Sequence, residues 1–174
     1  IFYRRDEVRT KSFAANLDQV LILLAAEPEF SETQLSRALI AAEAEHIKPL
    51  IVLNKSDLGE VFAQAWHRLA AYRNMGYAVL PLELKSTHDS NTSLQVLQNE
   101  MMGKTTLILG PSGAGKSTLV NALVPNARAL TGEISQALNS GKHTTTSTSL
   151  YWVGERPSSF ADQAQRTAII DSPG

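Results

Sequence analysis

The apolar run Lys104–Leu109 (KTTLIL) leads directly into Gly110-Pro111-Ser112-Gly113-Ala114-Gly115-Lys116-Ser117, and a helical apolar pattern (Leu119, Val120, Leu123) follows. A strand, a glycine-rich turn and a helix in this order fit G-x-x-x-x-G-K-[ST] and constrain the fold more than any other stretch of the chain. The glycines let the backbone curl until successive N–H groups point inward at phosphate oxygens. A helix opening at Lys116 adds the positive end of its dipole. Lys116 is placed to reach the β- and γ-phosphates of a nucleotide, which makes it a catalytic as well as a binding candidate, and the Ser117 hydroxyl is placed to ligate Mg²⁺. The candidate nucleotide contacts of this loop are Gly110, Ser112, Gly113, Ala114, Gly115, Lys116, Ser117 and Thr118. The plainer reading is a glycine turn that caps a helix; the strand–loop–helix context argues against it.

The rest of the chain supplies the sheet such a loop needs. Of its 174 residues 43% are hydrophobic, enough to bury a core. Leu17–Ala26, aliphatic from Val20 onward, and Pro49–Leu53 carry the mark of strands buried on both faces. Tyr77–Leu84 is a third strand, and Pro81 within it points to a position near an edge. Thr148–Val153 and Thr167–Ile170 are further strands. Between them lie helical patterns: from a Ser31/Gln34 capping box to about His46, from Glu60 to Asn74 with Gly76 as its stop, and from Leu94 to Met102. This alternation predicts an α/β domain, a three-layer, doubly wound, mostly parallel sheet with its ligand at the carboxyl ends of the strands.

Two more loops fall at strand ends. Asn54-Lys55-Ser56-Asp57 (N-K-x-D) follows the strand PLIVL. A carboxylate at position 57 can accept from guanine N1–H and the 2-amino group, donors that adenine lacks. Asn54 can buttress the loop and meet the base edge, and the Lys55 stem can lie over the ring. The plainer role for Asp57 is to cap the next helix. Asp171-Ser172-Pro173-Gly174 (D-x-x-G) follows TAII; Asp171 is placed to hold Mg²⁺ through water, and the Gly174 N–H to meet the γ-phosphate. In the interval before it, Gly141-Lys142-His143-Thr144-Thr145-Thr146 offers a threonine to complete the Mg²⁺ shell, Thr144, Thr145 or Thr146. His143 beside them is a candidate to orient the attacking water. The three loops together predict a GTP/GDP site with Mg²⁺.

Their order is unusual. GTPases ordinarily run phosphate loop, threonine loop, D-x-x-G, N-K-x-D, whereas here N-K-x-D stands at 54 and the phosphate loop at 110. The chain reads as a circular permutation, which is harmless if all loops still meet at one sheet edge. It leaves the D-x-x-G switch at the end of the sequence. The permuted order, the phrase Ala14-Ala15-Asn16-Leu17-Asp18-Gln19 and Gly141-x-His143-Thr144-Thr145-Thr146 together resemble the RsgA family, the circularly permuted GTPases that depend on the small ribosomal subunit. The resemblance covers almost all of the chain. It implies GTP hydrolysis in late maturation of the small subunit, stimulated by that particle and its rRNA, with a role for His143 in hydrolysis. It also implies an N-terminal oligonucleotide-binding barrel, of which mixed-charge residues 1–12 are a connector or trailing edge. Residues 13–174 are then the GTPase domain, cut at its switch. A C-terminal zinc domain is implied too, so Zn²⁺ is expected only outside this chain, which has no cysteine and offers no zinc site.

Two departures stand out. The family's Ser-Ala-Lys-like element has no clear counterpart after YAVLPLEL, where Glu83–Thr87 leaves the second guanine-contacting loop open. Pro111 and Ala114 replace the commoner Gln and Val, so GPSGAGKST reads closer to transporter ATPases. A transporter-type P-loop ATPase would need an L-S-G-G-Q-type loop and a strand ending Asp-Glu, and Asp171 is followed by Ser172. A non-hydrolysing RNA-binding scaffold would have no reason to keep phosphate and metal ligands. The net charge of −1 excludes a protein that coats nucleic acid by overall charge. The longest apolar run, around Val20–Ala26, is too short to span a bilayer, and no signal segment opens the chain. A monomeric cytoplasmic protein, with this chain a fragment of it, is the resulting expectation.

Overall fold

The computed structural model describes residues 2–5, 10–14, 16–85, 92–127, 148–154 and 166–172. Phe2–Arg5 (β1) and Thr10–Ala14 (β2) pair antiparallel as a separate two-stranded sheet, where the sequence suggested a connector or a barrel edge. The main sheet has six strands: Gln19–Ala25 (β3), Lys48–Asn54 (β4), Ala78–Leu82 (β5), Thr105–Leu109 (β6), Ser149–Trp152 (β7) and Ala168–Asp171 (β8). Their order is β5-β4-β3-β6-β8-β7, all parallel except the β7–β8 pair. β5, carrying Pro81, is an edge strand as expected.

Five helices cover the sheet among the described residues: Glu32–Ala44 (α1), Gly59–Arg68 (α2), Ala70–Asn74 (α3), Thr92–Met101 (α4) and Lys116–Leu123 (α5). Strand residues alternate between two cores. Val20, Ile22 and Leu24 of β3 pack with Leu35 and Leu39 of α1 and with Leu69 and Tyr72 near α3. Leu21 and Leu23 face the other way, onto Leu97 and Met101 of α4 and Leu119 and Val120 of α5. Because both faces are covered, these strands carry no polar alternation, which is what made them readable. The expected three-layer sandwich is the observed one.

The helix expected over Glu60–Asn74 is two helices. It breaks at Leu69, whose N–H bonds the Trp66 carbonyl in a tighter turn (3.1 Å). The Arg73 guanidinium also donates to the Trp66 carbonyl (3.0 Å) and lies over the Trp66 ring at 4.4 Å. The Trp66 carbonyl thus accepts from both the Leu69 N–H and the Arg73 guanidinium at the break. At α1 the expected cap is present, with Ser31 Oγ accepting from the Gln34 N–H at 3.3 Å. Among the described residues no helix is long and apolar enough to cross a membrane.

Candidate nucleotide site

β3, β4 and β6 are adjacent and parallel, so the loops that follow them emerge side by side at the carboxyl edge. The phosphate loop leaves β6 at Gly110. An ideal Cβ there would sit 2.9 Å from the Leu23 carbonyl oxygen, so only glycine lets the loop turn this close to β3. Gly115 (φ +96°) is the residue before α5, and a Cβ on it would meet Asn54 Nδ2 at 2.4 Å. The Leu119 N–H bonds the Gly115 carbonyl (2.9 Å), so the N–H groups of Lys116, Ser117 and Thr118 open the helix without intrahelical acceptors. Ser112, Ser117 and Thr118 are exposed, while Ala114 is buried. This is a concave set of donors that suits a polyphosphate.

The two predicted loops touch. Asn54, 3% exposed, donates from Nδ2 to the Ala114 carbonyl at 2.9 Å. Its Oδ1 is buried and has no hydrogen-bond partner among the described residues. Lys55 takes a left-handed backbone (φ 68°), which a β-carbon disfavours, and its ammonium donates to the Glu27 carbonyl. Ser56–Leu58 forms a single 3₁₀ turn. Asp57 within it is exposed, and α2 is capped at Leu58 without any side-chain bond, so Asp57 does not cap that helix. Its carboxylate is left exposed just past the end of β4.

β8 brings Asp171 level with Ile108 of β6, immediately before the phosphate loop. The Lys116 ammonium lies 3.5 Å from Asp171 Oδ1 and donates to the Ser172 carbonyl. Ser172, 3% exposed, anchors that strand end by donating Oγ–H to the Ile108 carbonyl at 2.8 Å. Burial raises the Asp171 carboxyl above its ordinary value, against the opposing pull of Lys116. A group that binds its proton more tightly when folded loses stability as pH rises through that window. Asp171→Asn, in metal-free and nucleotide-free buffer, is therefore expected to melt higher than the parent at neutral pH. The advantage should fade as pH falls below the ordinary carboxylate range; thermal melts across pH read it directly.

A half-buried carboxylate beside the first turn of α5 fits a divalent cation shared with the exposed Ser117 hydroxyl. The cradle that a Cβ at Gly110 or Gly115 would fill fits a polyphosphate. His143, Thr144, Thr145, Thr146 and Gly174 lie outside the described residues, as do Ser86 and Thr87 of the second guanine loop. The nearer part of that loop does reach the site, for Leu84 Cδ1 lies 3.6 Å from where a Gly115 Cβ would be. Sequence reasoning missed Ser172 as the acceptor for Lys116, and it missed Glu27 and Pro28, which border both loops. Neither carries a motif; their positions come from strand register.

The sequence profile of the RsgA GTPase family matches residues 1–174. The chain belongs to the RsgA GTPase family. Among its relatives is the small ribosomal subunit biogenesis GTPase RsgA of Variovorax paradoxus, 66% identical over the whole chain, and that of Burkholderia mallei, 53% identical. The chain spans 52% of each of these relatives. Among solved structures, YjeQ from Thermotoga maritima shares the fold at 23% identity (TM-score 0.64, 91% of this chain and 48% of that one). YloQ, described as a circularly permuted GTPase, aligns at 25% identity with a TM-score of 0.57, covering 99% of this chain and 54% of that one. RsgA membership agrees with the permuted motif order and separates the chain from transporter ATPases despite the wording of its phosphate loop.

Proposed function

We propose that this domain binds and hydrolyses GTP within a factor that acts in late maturation of the small ribosomal subunit, and that the subunit stimulates turnover. The observation that carries the proposal is the Asn54–Ala114 hydrogen bond, which joins a guanine-type N-K-x-D loop to a phosphate loop at one sheet edge. The relatives' names, small ribosomal subunit biogenesis GTPases, support the setting. Asp57 accepts from the guanine edge, and the N–H groups at the start of α5 hold the phosphates. Lys116 draws off negative charge as the β–γ bond breaks. Ser117, Asp171 and one of Thr144–Thr146 would hold Mg²⁺, which would supply neutralisation of phosphate charge. His143 orients the attacking water when the subunit is bound. The protein works as a cytoplasmic monomer contacting rRNA of the particle.

The test is single-turnover GTP hydrolysis by the full-length protein with and without small ribosomal subunits, for the parent and His143→Ala. The parent should be strongly stimulated. The variant should bind nucleotide normally, keep its slow intrinsic rate and lose roughly 10²-fold of the stimulated rate. Equal stimulation of both would remove His143 from the chemistry. Absence of stimulation in the parent would remove the ribosomal setting.

A further inference from the structure

We propose that Arg68, outside the nucleotide site, is a positioning residue for it, acting through the loop that follows β3. The inference rests on the reading of the site as a guanine-nucleotide site. Arg68, at the end of α2, holds that loop at several points. Its Nη1 donates to Glu29 Oε1 at 2.5 Å, its Nε to Glu32 Oε1 at 3.0 Å and its Nη2 to the Phe30 carbonyl at 3.3 Å. Its guanidinium also lies over the Phe30 ring at 4.4 Å, and Phe30 itself is buried in the core beneath α1. The planar fork of an arginine suits such a simultaneous grip on two carboxylates, a carbonyl and a ring. Glu29 is 80% exposed, so its ion pair alone contributes little; the geometry is held by the set.

The far side of the same loop touches both halves of the site. The Glu27 carbonyl accepts from the Lys55 ammonium, fixing the lysine whose stem covers the base. The Pro28 ring stands against the phosphate loop, its Cδ 3.3 Å from where a Cβ on Gly113 would lie. Residues 27–30 thus form a wall between the core and the two binding loops, and Arg68 sets where that wall stands. Loosening it frees Lys55 and Gly113 together, so binding weakens for GDP as well as GTP while the sheet stays intact.

The experiment is equilibrium titration of full-length protein with fluorescent mant-GDP, competed by GDP and GTP, alongside thermal melts. Arg68→Ala is expected to weaken both nucleotides about tenfold, and Glu29→Ala about twofold, since each removes part of a shell that orients ligand contacts. Arg68→Lys keeps the charge without the fork and should stay close to Arg68→Ala. In a Lys55→Met background the effect of Arg68→Ala should shrink, because the two act along one chain of contacts. If the parent binds mant-GDP and Arg68→Ala binds equally well, with only its melting temperature lowered, Arg68 is structural and the inference fails. If Arg68→Ala does not fold, Arg68→Lys decides, and parent-like affinity there overturns the inference. A parent that binds no guanine nucleotide refutes the reading of the site instead.

Discussion

Gly115→Ala is expected to leave a folded domain that no longer binds guanine nucleotide at ordinary concentrations. Three costs converge on one atom. The backbone at this position has φ +96°, where an L side chain is strained by about 1–3 kcal/mol. The added Cβ would stand 2.4 Å from Asn54 Nδ2, well inside contact distance, so one of the two must move. If Asn54 moves, its bond to the Ala114 carbonyl is lost inside the protein, which costs about 1–3 kcal/mol more. The exposed loop can instead relax into another shape, and the cost is then levied on the fraction of molecules competent to bind. Taken together the penalties correspond to roughly 10²-fold to 10⁴-fold in affinity. Gly76→Ala is the control: its φ is +92°, but a Cβ there meets nothing within 4 Å and lies far from the site in sequence. It should lower the melting temperature and leave GDP titration unchanged. Parent-like binding by Gly115→Ala would show that the Asn54 contact does not couple the two loops.

The sequence was most readable where burial is symmetric. β3 and β4 lie between two helical layers, so VLILLA after Gln19 and PLIVL carry no polar residue to hide their identity. The phosphate loop was readable for a different reason, since its glycines answer close approaches to Leu23, Pro28 and Asn54 that few other residues tolerate. What periodicity could not reveal was decided by contacts distant in sequence. The break at Leu69 leaves the apolar spacing of α2 and α3 nearly continuous, and Arg73 adds a second hydrogen bond to the Trp66 carbonyl from seven residues away. The antiparallel direction of β7 follows from its pairing with β8, to which no local pattern points. The wall of Glu27–Phe30 was equally silent: its role depends on Arg68, 38 residues beyond Phe30. The Asn54 buttress was legible as a role, while its partner, Ala114, lies 60 residues on and was set by the adjacency of β4, β3 and β6.

The other large effect concerns which base is accepted. Asp57 sits in the 3₁₀ turn at the carboxyl end of β4, exposed, and the helix after it is capped without its help. A side chain that neither packs nor caps can be exchanged for its isosteric amide with little disturbance of the fold. In the proposed site its carboxylate would take two hydrogen bonds from the guanine edge, at N1–H and the 2-amino group. Asparagine in its place offers a donor where the 2-amino group also donates, so one bond is lost and a repulsive pairing replaces it. Losing that charge-assisted pair costs roughly 2–4 kcal/mol, or about 30-fold to 10³-fold in GTP affinity. Xanthine carries an oxygen at the position of the amine and restores a donor–acceptor match with the amide. Asp57→Asn is therefore expected to release GTP and take up xanthosine triphosphate, while its phosphate contacts, made by Lys116 and the first turn of α5, are untouched. Competition of both nucleotides against mant-GDP on the parent, and against a labelled xanthosine diphosphate on the variant, measures the exchange. The inversion separates base recognition from folding, since a merely damaged site would lose both nucleotides alike. Unchanged GTP affinity in Asp57→Asn would take the carboxylate out of the base site and leave the N-K-x-D loop with Asn54 and Lys55 as its functional side chains.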